Sequence, residues 1–111
     1  MALTSAGFIS RVVDAADGVR GAHRPQAFGR AVWGFAELLG TVPDYPASDF
    51  SDEDVARLGM LAEEVIDQIE ERARDDGGSP KAAQDLVSAV YSIRSRLEQI
   101  ELWKRHFARI Q

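Results

Sequence analysis

Side chains suited to acid–base or nucleophilic chemistry are sparse in this chain. His23 and His106 are the only histidines, and there is no cysteine. Neither histidine follows a glutamate by three residues. The Glu-x-x-His pair that builds di-iron sites in helical bundles is therefore absent. His23 stands before Arg24 and Pro25 at a helix junction, which suits capping or solvent exposure. His106 follows Lys104 and Arg105 on the polar flank of the last helix. The stretch RDDGGSPK lacks the spacing of a Walker motif and lies between two helical patterns rather than after a strand. No nucleophile elbow stands out. The cysteine count excludes disulfides and thiolate metal sites, and fits a reducing compartment.

The elements that would position any site are helical. Apolar residues recur at steps of three and four, and no β-branched run alternates with polar residues. The expected fold is all-α: four helices near 5–20, 25–39, 51–75 and 80–110 in a single domain of 111 residues, with a proline-containing linker over 41–50. The first helix carries Phe8, Ile9, Val12, Ala16 and Val19 on one side and is expected to fray at Gly18 and Gly21. The second opens at Pro25, shows Phe28, Val32, Phe35 and Leu39, and ends at Gly40. Gly29 and Gly34 each weaken it by roughly 1 kcal/mol relative to alanine.

The third helix has the clearest start. Ser51 can cap, with Asp54 as the acidic partner of a capping box and Phe50 and Val55 as a hydrophobic staple. Val55, Leu58, Ala62, Val65 and Ile69 form its stripe. Gly77 or Gly78 ends it, Ser79 caps the next helix and Pro80 occupies its first position. The last stripe is Leu86, Val90, Ile93, Leu97, Ile100, Trp103, Phe107 and Ile110. A short connection makes the last two helices a long antiparallel αα-hairpin.

Charge is unevenly spread. The net charge is −5. Residues 41–80 set twelve acids against Arg57, Arg72 and Arg74, a net −9, whereas residues 81–111 carry a net +3. If the turn centres near 77 and 78, position n faces roughly position 155 − n. Glu63 and Glu64 then fall near Arg94 and Tyr91, and Asp52 and Glu53 near Lys104 and Arg105. Asp67, Glu70, Glu71, Asp75 and Asp76 have no obvious cationic partner in this register. They define an acidic face on which a basic partner could dock.

The pair LAEEVIDQIEE and AAQDLVSAVYSI resembles the all-α nucleotide pyrophosphohydrolases of the MazG type, over some forty residues. That family holds Mg²⁺ with Glu-x-x-Glu on one helix and Glu-x-x-Asp on the next. The resemblance implies Glu64 and Asp67 as the first pair and Asp85 as the end of the second. The position three before Asp85 is Ala82, so one ligand is missing and the implied enzyme is a degenerate one. A second alternative is nucleic-acid binding through the basic last helix, with Arg94, Arg96, Lys104, Arg105 and Arg109 on phosphates and Trp103 or Phe107 stacking on bases. The acidic neighbouring helix opposes it.

The favoured expectation comes from length. A helix over 80–110 is roughly 46 Å long, whereas a compact chain of this size has a radius of gyration near 13 Å. The last helix outruns its neighbour, and leaving Phe107 or Ile110 in water forgoes roughly 1.5–3 kcal/mol each. Either the linker covers the tip, through Val42, Tyr45 and Phe50, or a second copy of the chain does. The sequence thus predicts a small interaction or adaptor module, with the degenerate pyrophosphohydrolase and the nucleic-acid binder as alternatives. It associates with itself through Leu102, Trp103, Arg105, Phe107, Arg109 and Ile110. No catalytic residue, metal or cofactor is expected. No apolar run approaches the ~18–20 residues of a membrane span, the N-terminus lacks a basic signal region, and the expected location is cytoplasmic.

Overall fold

The computed structural model describes residues 5–45, 47–75 and 80–110, with the side chains at 5, 25, 47, 75, 80–83 and 107–110 outside the description. The described residues form four α-helices: α1 (Ser5–Gly21), α2 (Pro25–Gly40), α3 (Asp52–Asp75) and α4 (Pro80–Ile110). No strand occurs among the described residues. The first two helices are short and the last two long, as the spacing of apolar residues requires.

Among the described residues, each helix turns the stripe its sequence encodes toward the core. Phe8, Ile9, Val12, Ala16 and Val19 of α1 are buried, as are Phe28, Val32, Phe35 and Leu39 of α2. Helix α1 runs through Gly18 without a break and ends at Gly21. In α3, Leu58, Ala62, Val65 and Ile69 are buried, joined by Ile66, and Val55 is half-buried. In α4, Ile93 and Ile100 are fully buried together with Ala89, while Leu86, Val90, Leu97 and Trp103 line the edge of the core.

Local signals fix the helix ends. The Asp54 N–H donates to Ser51 Oγ at 3.1 Å, and the Ser51 N–H donates to Asp54 Oδ2 at 2.9 Å, a reciprocal capping box. Helix α2 ends without a left-handed residue. Thr41 stays in the right-handed region, its Oγ1 donates to the Leu38 carbonyl at 2.7 Å, and the chain passes directly into a 3₁₀ turn at Val42–Asp44. Among the described residues no glycine has a positive φ. The turn read at Gly77, Gly78 and Ser79 lies outside the described residues.

Each helix has two principal neighbours. Helix α1 packs on α2 and α3, and α4 packs on the same two. Phe8 meets Phe50 at one end of the bundle, and Arg72 reaches the Ala22 carbonyl at the other, so α1 and α3 run in the same direction. Likewise Phe28 and Leu86 share one groove while Gly40 abuts Arg96, so α2 and α4 run together. Residues 41–50 therefore carry the chain across one end of the bundle, from α2 to its diagonal neighbour α3.

The crossing segment closes that end. Tyr45 and Phe50 pack edge-on against Phe8, with ring centroids 5.4 and 5.8 Å away. Trp103 packs edge-on against Phe50 at 5.9 Å. The Lys104 ammonium donates to the Phe50 carbonyl. Helix α4 then continues to Ile110, roughly 9 Å further. The molecule is elongated, 51 × 25 × 19 Å with a radius of gyration of 14.8 Å.

Candidate interaction surface

The residues proposed for the contact divide between two sides of α4. Leu102 is 60% exposed, while the next residue, Trp103, lies against Phe50 at the rim of the core. A step of one residue turns a helix by about 100°, so the two cannot serve one flat contact. Arg105 is exposed, and the side chains of Phe107, Arg109 and Ile110 lie outside the described residues. The linker thus covers Trp103 through Phe50.

Leu102 has companions that the inner-stripe pattern does not pick out. Val87 and Tyr91 are 55% and 74% exposed. Measured from Ile93, which faces the core, Tyr91 and Leu102 point about 160° and 180° away and Val87 about 120°. These three lie along the outward side of α4 as an interrupted apolar ridge, with the polar Ser95 and Glu98 between Tyr91 and Leu102. Met60 on α3 and Trp33 on α2 are the other large apolar side chains exposed among the described residues. The signal for the ridge was present in the sequence, as apolar residues falling off the dominant stripe. An isolated exposed apolar residue carries no message, whereas three along one side of one helix do.

Polar partners flank the ridge. Arg94 lies 4.0 Å from Glu63 and 3.9 Å from Glu70 of α3. Glu70 therefore has a cationic neighbour, which corrects the reading of it as unmatched. Glu64 does not turn toward α4; it pairs with Arg20 of α1 at 3.5 Å. Asp67 and Glu71 are exposed on the outer side of α3. The Asp75 side chain and Asp76 lie outside the described residues.

The carboxylates implied by the pyrophosphohydrolase resemblance are dispersed. Glu64 faces the α1–α3 seam, where Arg20 holds it. Asp85 borders the α2–α4 groove on the opposite side of the bundle, beside Gln26 and Phe28. Among the described residues no cluster of three or more His, Asp or Glu side chains is placed to hold a metal ion. The α2–α4 groove encloses about 410 Å³ between Phe28, Val32, Trp33 and Ala89, open to solvent and largely apolar.

The cations of α4 also point apart. Arg96 turns toward α2, donating to the Ser92 hydroxyl beside Gly40. Lys104 is drawn to the Phe50 carbonyl, and Arg94 leans toward α3. Among the described residues they make no continuous basic track of the kind a phosphate backbone follows. No described helix is long and apolar enough to cross a membrane. No protein-family model matches the chain, and no curated protein or solved structure matches it either.

Proposed function

We propose that this protein is a small helical interaction module that associates with a second copy of itself through the exposed side of α4. The observation that supports this reading is the outward ridge of Val87, Tyr91 and Leu102, each more than half exposed on a helix whose opposite side already fills the core. Burying such side chains between two copies removes apolar surface from water at about 25 cal/mol per Å². Arg105, exposed beside Leu102, and the acidic outer side of α3 set register through charge.

Light scattering across a concentration series tests it. The wild-type chain is expected to pass from monomer to dimer in the micromolar range. Leu102→Glu is expected to weaken the dimer on the order of tenfold or more, since losing a buried leucine costs roughly 1.5–3 kcal/mol and about 1.4 kcal/mol is tenfold. A monomer at every concentration removes the proposal.

A further inference from the structure

We infer that the second copy docks antiparallel, α4 against α4, about a two-fold axis passing beside Ser95. This deepens the self-association reading and rests on it. The exposed side of α4 repeats at Ser88, Tyr91, Ser95, Glu98 and Leu102, in steps of three and four, and all five are exposed. These steps keep the five residues on one side of the helix over about four turns.

The seam reads the same from both ends. With Ser95 on the axis, Tyr91 falls opposite Glu98 of the second copy, so a phenol O–H donates to a carboxylate. Ser88 and its neighbour Val87 fall opposite Leu102 of the second copy, which buries both exposed aliphatic residues twice by symmetry. Gln84 falls opposite Arg105. The residue on the axis itself is small, which lets the two backbones approach. An isologous contact requires this kind of self-complementary pattern.

Charge selects the direction. A parallel pairing sets Glu98 on Glu98 and Arg105 on Arg105, and like charges in contact disfavour it. The antiparallel pairing brings the two Arg94 side chains together at the axis and sets Glu98 of each copy next to Arg94 of the other, so that the four charges balance. Arg94 has reach to spare, because its pairs with Glu63 and Glu70 stand at the outer limit of an ion pair, 4.0 and 3.9 Å. A single helix face is narrower than the ~800 Å² per partner of a standard interface, which places the expected dissociation in the micromolar range.

The absence of native cysteine makes the geometry directly measurable. Single-cysteine variants Ser95→Cys, Val87→Cys and Leu102→Cys, with Glu37→Cys on exposed α2 as control, are oxidised mildly and run on non-reducing gels. Circular dichroism confirms that each variant is folded. Ser95→Cys is expected to link to itself. Val87→Cys and Leu102→Cys are expected to link only when mixed, because each stands roughly 22 Å from its own copy along the helix. A dimer by light scattering in which Leu102→Cys links to itself and Ser95→Cys does not overturns the antiparallel arrangement and leaves self-association standing. Linking of Glu37→Cys equal to that of Ser95→Cys reports random collision and overturns it too. A wild-type monomer at about 100 µM, well above a micromolar dissociation constant, removes both this arrangement and the self-association on which it rests.

Discussion

The guanidinium carbon of Arg72 lies 4.8 Å from the centroid of the Phe28 ring. The same group donates to the carbonyls of Ala22, at 3.2 Å, and His23. One half-buried side chain of α3 therefore holds the connection between α1 and α2 and roofs the first aromatic residue of α2. The carbonyls it meets follow the last turn of α1, where the helix leaves acceptors unsatisfied and its dipole favours a cation.

Arg72→Met is accordingly expected to destabilise the bundle by about 2 kcal/mol, from lost charge-assisted hydrogen bonds and a lost cation–π contact. Arg72→Lys keeps the charge but loses the planar fork, so its cost is expected to be intermediate. Urea denaturation midpoints measure both. Equal stability of the methionine variant and wild type would show that the connection holds itself in place.

Phe50 is the keystone of the closed end, since Phe8, Tyr45 and Trp103 all meet its ring. Phe50→Ala is expected to cost roughly 3–5 kcal/mol, a large part of a total stability of about 5–15 kcal/mol. Trp103 reports the same event optically. In a Trp33→Phe background its emission is expected to shift to longer wavelength in Phe50→Leu, which keeps the fold but removes the ring. Unchanged emission counts against Phe50 as its cover.

The sequence displayed the local physics well. The inner stripes of all four helices, the Ser51–Asp54 capping box and the breaks imposed by Pro25 and Pro43 follow from neighbours a few positions apart. What it concealed depends on residues distant in the chain. Nothing near Arg72 announces that it will cap a connection some fifty residues earlier, and nothing near Phe50 shows that Phe8 and Trp103 will converge on it. The facing rule placed Glu63 near Arg94, yet it could not foresee that Glu64 turns to Arg20 of α1, because that rule considers two helices and the bundle has four. Grouping Leu102 with Trp103 as one surface followed sequence adjacency, whereas the 100° step sends them to different sides. Val87 and Tyr91 lie off the dominant inner stripe, whose stronger spacing masks the weaker pattern on the far side of the same helix.

Glycines in α2 offer a contrast within one helix. A Cβ added at Gly34 meets no atom within 4 Å, whereas one at Gly40 comes within 2.9 Å of Arg96 Nε. Gly34 is thus tolerated rather than needed for close helix approach. Gly34→Ala is expected to raise stability by about 0.5–1 kcal/mol, through helix propensity and a less flexible unfolded chain. Gly40→Ala is expected to lack this gain, because Arg96 must leave its place between Ser92 and the end of α2. Thermal melts of the two variants test the difference. A gain at Gly40 as large as that at Gly34 contradicts the contact.

The capping box at the start of α3 makes a final claim about coupling. Each partner satisfies the other's N–H, so either substitution alone breaks a reciprocal pair. Ser51→Ala is expected to cost about 1 kcal/mol, and Asp54→Ala a comparable amount, since it also removes a carboxylate from the positive end of the helix. If the two bonds act as a unit, the double variant costs less than the sum of the single ones, by the few tenths of a kcal/mol or more that a double-mutant cycle resolves. Additive costs would mean that the hydroxyl and the carboxylate each cap α3 independently.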